Sequence, residues 1–174
     1  MNKNIILIAL IASCVFAGTA FCADWKYYGD FKADPDIQNV LFYDSNSLIN
    51  TNNSIKVWVK TISYSEIEKR LEDKLVIEKA EKKIADGYIP PITKIYPKVT
   101  NAAYLEAAVN DLFIKSKAEI LYQLACNEKK MRKISGRSFN KDGNPDQRFG
   151  ITKWEVITPE SNADNLAKIV CESK

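Results

Sequence analysis

The sequence predicts a single α+β domain: an antiparallel β-sheet flanked by helices, with a C-terminal helix tied to the sheet by a disulfide. Three observations carry this prediction. Segments with the two-residue alternation of strands open the chain and recur late in it, whereas segments with helical spacing lie between them and at the end. Two cysteines fall in a late strand and in the last helix. Strands and helices segregated in this way indicate an antiparallel sheet, and we expect its helices on one face.

Three strands are expected early in the chain. Residues 24–29 and 40–44 place large apolar side chains next to turn-forming residues. The clearest alternation runs over 55–62, where odd positions share one face of a strand and even positions share the other. These two sets are Ile55, Val57, Val59 and Thr61 against Lys56, Trp58, Lys60 and Ile62.

A helical insert is predicted over about 65–115. It opens with the serine and glutamate of a capping box, Ser65 and Glu68, each of which satisfies an amide at a helix start. Opposite charges four residues apart then support an exposed helix that ends at Gly87. Prolines make 88–98 an extended connector. An apolar stripe predicts a second helix over 102–113.

The last third of the chain returns to strands. Residues 118–126 and 131–139 read as strands, and the Asp-Gly pair at 142–143 predicts a hairpin turn after the second. A final strand is expected over 151–157. The closing helix is expected to start after Ser161, with an acidic residue three positions on and an apolar stripe that includes Leu166, Ile169 and Val170.

Residues 1–22 have the three parts of a bacterial secretion signal: a positive charge, an apolar run and small residues near the end. The run is shorter than the roughly 20 residues that span a bilayer, so we expect cleavage near Cys22 and a working domain over 23–174. A rival cut stays open, because the residues up to Cys14 resemble the lipobox of bacterial lipoproteins. Lipidation of Cys14 would tether the domain to a membrane surface. Both cuts place the protein in the periplasm or at the outer membrane or cell surface.

Two cysteines remain after the signal, Cys126 and Cys171. A pair in a chain sent to an oxidising compartment predicts one structural disulfide. The alternative is a redox-active or metal-binding pair, but the chain has no C-x-x-C spacing and no histidine to complete such a site. We therefore predict no metal site and no cofactor.

Six blocks of the sequence keep a characteristic order and spacing. They are residues 24–29 (Asp-Trp-Lys-Tyr-Tyr-Gly), 43–48 (Tyr-Asp-Ser-Asn-Ser-Leu), 55–60 (Ile-Lys-Val-Trp-Val-Lys), the Lys141-Asp142-Gly143 turn, Trp154 with 157–161, and 166–171 (Leu-Ala-Lys-Ile-Val-Cys). Together with a strand that ends in Cys126 and the Lys/Arg-rich strand that follows it, they resemble the surface-adhesin protein E family over most of 24–64 and 117–172. The helical insert departs from the family pattern. The resemblance implies a helix-flanked antiparallel sheet, the Cys126–Cys171 disulfide and a cell-envelope location. The family takes its name from an outer-membrane adhesin that binds host extracellular-matrix proteins.

The residues point to binding and not to catalysis. Without histidine, the commonest general base and the usual partner of a serine or cysteine nucleophile are missing. No P-loop or dinucleotide fingerprint occurs, and we predict that the protein is not an enzyme. After residue 22 the chain has 24 basic and 22 acidic residues, and this net charge of +2 is too small to indicate nucleic acid as a partner.

One candidate partner-binding surface is basic. This basic strip consists of Lys129, Lys130, Arg132, Lys133, Arg137 and Lys141. On a regular strand Lys129, Lys133 and Arg137 would share a face, with Lys130 and Arg132 on the other. The strip suits anionic lipid headgroups, polysaccharide or an acidic protein patch; the alternative is an edge strand kept soluble by its lysines.

The large aromatic residues are expected mainly in the core, with an exposed aromatic patch as the alternative. They are Trp25, Tyr27, Trp58 and Trp154. The functional prediction is non-catalytic binding of a protein or polysaccharide of the envelope or extracellular surface. The alternative function is a structural or accessory subunit of a periplasmic or outer-membrane complex, docked through the helical insert.

Overall fold

The computed structural model describes residues 23–34, 37–51, 53–71, 74–87, 102–111, 116–140 and 142–172. Its strands are β1 (Trp25–Asp34), β2 (Ile37–Asp44), β3 (Ile49–Thr51), β4 (Ser54–Ser63), β5 (Ala118–Ala125), β6 (Lys130–Phe139), β7 (Pro145–Phe149) and β8 (Glu155–Val156). Its helices are α1 (Tyr64–Leu71), α2 (Lys74–Ala85), α3 (Ala102–Asp111) and α4 (Asn162–Glu172), with a 3-10 turn at Ser45–Ser47. The predicted signal with Cys14, the connector over 88–98 and Lys141 lie outside these ranges.

The strands form one antiparallel sheet in the order β1-β2-β4-β5-β6-β7, with β3 beside β4 and β8 beside β6. This confirms the α+β fold with an antiparallel sheet. The predicted disulfide is also confirmed: Cys126 and Cys171 are bonded, with their Cα atoms 5.8 Å apart. It joins the last turn of α4 to the turn that follows β5.

Helices cover both faces of the sheet, so the expectation of helices on one face is wrong. The alternation predicted for β4 shows why. Ile62 lies in a core cluster with α1–α3, whereas Val57 and Val59 lie in a second cluster with α4. Because β4 carries buried apolar side chains on both sides, each side needs its own cover. We call the two sides the insert face and the C-terminal face.

The helical insert supplies one half of the hydrophobic core. Ile67 of α1, Ala80 of α2 and Leu105 of α3 are completely buried and belong to the cluster that contains Phe42 and Tyr27 of the sheet. Burial of this kind contributes about 25 cal/mol per Å² of apolar surface. Helices α1–α3 are therefore an integral layer of the domain.

Helix α3 also closes the outer edge of β1. Asn110 Oδ1 accepts a hydrogen bond from Trp25 N at 2.8 Å, and Asn110 Nδ2 donates to Trp25 O at 3.0 Å. One turn earlier, the buried Glu106 accepts from Tyr27 N at 3.1 Å through Oε1. These two side chains, four residues apart on one helical face, take the backbone groups that a further strand would otherwise pair with.

The capping contact at the start of α1 lies two residues before the predicted capping box. Glu66 Oε2 accepts a hydrogen bond from Ser63 N at 3.3 Å, and the helix begins at Tyr64. The run Ser-Tyr-Ser-Glu-Ile-Glu contains the S-x-x-E pattern in two registers. β4 extends to Ser63, and this selects the earlier register over the predicted pair, Ser65 and Glu68. The predicted end of the exposed helix is confirmed, because Gly87 has a φ of +88° after α2.

The final strand expected over 151–157 is much shorter than predicted. Only Glu155 and Val156 pair with β6 as β8. Thr152 forms backbone and side-chain hydrogen bonds to Lys133, at 3.0 Å each, but the segment has no continuous ladder. Ile151 and Val156 are 69% and 74% exposed. These apolar side chains therefore gain little packing that would stabilise a longer strand.

The other late elements agree with the sequence. β6 and β7 form the predicted hairpin, with Gly143 at a φ of +76° in the turn. Helix α4 is capped as expected, because Ser161 Oγ accepts from Asp164 N at 3.2 Å. Leu166 and Val170 are buried against the sheet.

Candidate functional site

An open groove of about 530 Å³ lies on the insert face, where α1–α3 leave part of the sheet uncovered. We call it the sheet groove. Its principal side chains come from five strands: Trp25, Trp58, Glu119, Ser135, Arg137 and Arg148. The groove therefore combines two large aromatic rings with charged groups.

A row of charged side chains crosses the strands at this groove. Glu119 of β5 pairs in register with Lys60 of β4 on one side and with Arg137 of β6 on the other. Its Oε1 lies 3.4 Å from Lys60 Nζ, and its Oε2 lies 2.9 Å from a terminal nitrogen of Arg137. A single carboxylate thus serves two cations, and the row keeps a positive excess.

Arg148 of β7 increases that excess. It lies directly opposite Arg137 in the ladder between β6 and β7, and like charges in this position repel each other. Within the described ranges, no carboxylate lies within ion-pair distance of Arg148. The side chains of Arg137 and Arg148 are both exposed. An anion placed between them would lower the repulsion.

The aromatic side of the groove overturns part of the core prediction. Tyr27 is buried, as expected, but Trp25 and Trp58 are only half-buried and line the groove. The Lys60 ammonium lies 4.6 Å from the centre of the Trp25 ring, in a cation–π contact. Trp154 is 39% exposed, outside the groove, beneath the Arg132 guanidinium. Trp25 thus packs against the core cluster of the insert face and also lines the groove, whereas Trp58 and Trp154 belong to neither core cluster.

A β-bulge changes how the basic strip divides between the faces. The register shifts between the pairs Leu121–Ser135 and Tyr122–Lys133, so β6 carries one extra residue there. Consequently Arg137 lies on the insert face together with Arg132, and Lys133 lies on the C-terminal face. The prediction that Arg137 shares a face with Lys133 is wrong, because it assumed unbroken alternation.

Side-chain contacts on the insert face agree with this division. Arg132 donates to Gln123 Oε1 at 2.7 and 2.9 Å, and Arg137 contacts Glu119. On the opposite face, Lys133 Nζ lies 5.7 Å from the centre of the Phe149 ring.

Lys129 and Lys130 of the basic strip do not line the groove. Lys129 sits in the turn before β6 with a φ of +50°, and Lys130 forms an ion pair with Glu128 at 2.9 Å. Lys141 lies outside the described residues. The strip therefore contributes Arg137 to the groove. The other arginine, Arg148, was missed, although the Asp-Gly hairpin signal already placed a strand beside β6.

The chemistry that this groove offers is stacking and charge. The chain has no histidine, so Ser135 has no imidazole base to activate it. Over the parts of the chain that the structure describes, no three cysteine, aspartate or glutamate residues gather to hold a metal ion. No helix in those parts combines the length and apolarity that crossing a bilayer requires.

Comparison of the chain with protein-family models, with curated proteins and with solved structures finds no match. The resemblance to the surface-adhesin protein E family consequently stays a prediction that rests on the six sequence blocks.

Proposed function

We propose that this protein is an exported, non-catalytic binding protein of the cell envelope that holds an acidic polysaccharide in the sheet groove. The observation that carries the proposal is the meeting of Trp25 and Trp58 with Arg137 and Arg148 in one open groove. Flat indole rings offer the large apolar surface on which the C–H face of a sugar ring packs. Guanidinium groups form paired hydrogen bonds with carboxylates.

The charge balance of the groove favours an acidic ligand. Arg137 and Arg148 line the groove beside Glu119 and Asp44. The Glu119 carboxylate is already shared between Arg137 and the buried Lys60, whereas Arg148 faces Arg137 and has no carboxylate of its own among the described residues. The two arginines face each other across neighbouring strands, so a bound carboxylate gains attraction from both. A neutral sugar chain would use the rings alone.

The form of the groove favours a polysaccharide over a folded protein. The centre of a stable protein interface is usually depleted in charge, whereas a row of charges crosses this groove. An extended chain can lie across the open sheet and meet rings and arginines in succession.

Export is supported by three independent features. The first 22 residues have the composition of a secretion signal. The Cys126–Cys171 disulfide is typical of oxidising compartments outside the cytoplasm. The sequence blocks resemble an envelope family. The exported protein has one of two forms: its signal is cleaved near Cys22, or Cys14 is lipidated.

The alternative function, an accessory subunit that docks through the helical insert, has less support. The large apolar residues Ile67 and Leu105 of the insert are fully buried against the sheet. Removing the insert would expose one of the two core clusters. The insert is therefore part of the folded core and not a separable docking element.

Calorimetric titration with hexagalacturonate, and with a neutral glucose hexamer as control, tests the binding proposal. Arg148→Ala should weaken binding of the acidic hexamer about tenfold, because a hydrogen bond to a charged group contributes about 1.5–3 kcal/mol. Trp58→Ala should weaken both hexamers. The matched controls, Arg70→Ala and Trp154→Ala, remove an exposed arginine and a tryptophan that do not line the groove.

Three outcomes would contradict the proposal: no binding of the acidic hexamer, equal affinity for both hexamers, or equal losses in groove and control variants. Binding of the acidic hexamer should also weaken as salt is raised, since its charges are exposed.

Mass spectrometry of the native protein tests the export part separately. A chain that begins at Ala23 or Asp24 supports signal cleavage, and a lipid on Cys14 supports the lipoprotein form. A mature chain that still begins at Met1 would contradict both.

A further inference from the structure

A second cavity, of about 480 Å³, lies on the C-terminal face, between the sheet and the first half of α4. Leu41, Val59 and Ile120 of three neighbouring strands line it, and Ala163 and Leu166 line it from the helix. We call it the α4 cleft. Its volume and its largely apolar walls are those of small-molecule sites, which span roughly 300–1,000 Å³ and use few polar groups.

One polar side chain of the α4 cleft is unsatisfied. Asn39 of β2 lines the cleft and is 1% exposed, and its Oδ1 has no hydrogen-bond donor. Buried side-chain acceptors nearly always accept a hydrogen bond in native structures, because a buried acceptor without a donor costs free energy. The last side-chain torsion of asparagine is broad, so a small rotation turns this oxygen towards an occupant.

A positive charge lies at the same end of the cleft. Lys117 is exposed and lines the cleft, and its backbone N–H donates to Thr61 O at 2.9 Å. Thr61 pairs with Leu41, two residues from Asn39 along β2. Strand register therefore places Asn39 and Lys117 at the same end of the cleft, and most of the remaining wall is apolar.

We propose that the α4 cleft binds a small amphiphile of the hydroxy-acid class. Its aliphatic body lies on the strand residues and against Leu166, its hydroxyl donates to Asn39 Oδ1, and its carboxylate meets Lys117. A hydroxyl supplies the donor that Asn39 lacks, and an anion complements the cation at the rim. The cleft and the sheet groove lie on opposite faces, so neither proposal depends on the other.

Titration of the full mature chain with 3-hydroxyoctanoate, octanoate and octanol tests the assignment. The hydroxy acid should bind one to one and about tenfold more tightly than octanoate, the difference that one satisfied buried acceptor makes. Asn39→Leu should remove this preference while keeping octanoate binding. Lys117→Ala should remove the preference for octanoate over octanol, whereas Lys82→Ala, an exposed lysine of α2, should change neither.

Asn39→Leu removes an unpaired polar group without emptying the site, so the variant should unfold at the wild-type temperature or above. Equal affinities of the wild type for 3-hydroxyoctanoate and octanoate would overturn the proposal. So would saturation at several molecules per chain, or a dimer, seen by sedimentation, that buries the cleft and excludes all three ligands.

Discussion

Removing the disulfide should cost this domain a large part of its stability. Cys126 and Cys171 close a loop with a sequence separation of 45 residues. In the chain-entropy model a cross-link of this length destabilises the unfolded chain by about 4 kcal/mol. For a domain of this size each kcal/mol moves the melting temperature by about 2–4 °C, so Cys126→Ala/Cys171→Ala should melt about 8–16 °C lower.

Thermal unfolding followed by circular dichroism, with and without reductant, measures this loss. Reductant should lower the melting temperature of the wild type to that of the double variant and leave the double variant unchanged. Leu166 and Val170 still anchor α4 to the core, so the reduced protein should remain folded at low temperature. A difference below about 2 °C between the oxidised and reduced wild type would refute the reasoning, because the loop closure would then contribute almost nothing.

Three further predictions concern close packing, alkaline pH and the sheet edge. Gly136→Ala should destabilise the domain by about 1–3 kcal/mol in chemical denaturation, because its Cβ would lie 2.7 Å from Glu119 O, whereas Gly150→Ala meets nothing within 4 Å and should be neutral. Burial raises the pKa of Tyr28 above its usual 10.0, so the folded state holds its proton longer than the unfolded chain. Stability should therefore fall as pH rises above 10, and the fall should be smaller in Tyr28→Phe; a melting temperature that does not change up to pH 11 would contradict this. Glu106→Ala should lower the melting temperature and promote aggregation seen by light scattering, because it frees the edge amide of β1; an unchanged monomer would argue against edge protection by α3.

Local signals predicted most of the elements and misplaced some of their boundaries. Alternation in β4, the glycine at the end of α2 and the serine cap of α4 each depend on residues that are neighbours in sequence, so one sequence was enough to find them. The start of α1 after Ser63 and the short β8 depended on where neighbouring strands end.

The candidate site was only partly predictable, because its residues meet through strand pairing. Arg137 stood out in the basic strip, but its face depended on a bulge, and the bulge exists only in the ladder between β5 and β6. Arg148 showed no charge cluster of its own and became significant only opposite Arg137. Asn39 is an ordinary polar strand residue in the sequence. Its place in the cleft depends on α4, which covers that face of the sheet.

By itself, the sequence determined the α+β class, the antiparallel sheet and the pairing of Cys126 with Cys171, because composition, period and cysteine number are local or countable properties. Only the tertiary structure decided that α1–α3 and α4 take opposite faces of the sheet. It also decided which cations and rings share the groove. The physical reason is that both outcomes depend on the register between strands far apart in sequence, where one inserted residue turns the following side chains to the other face.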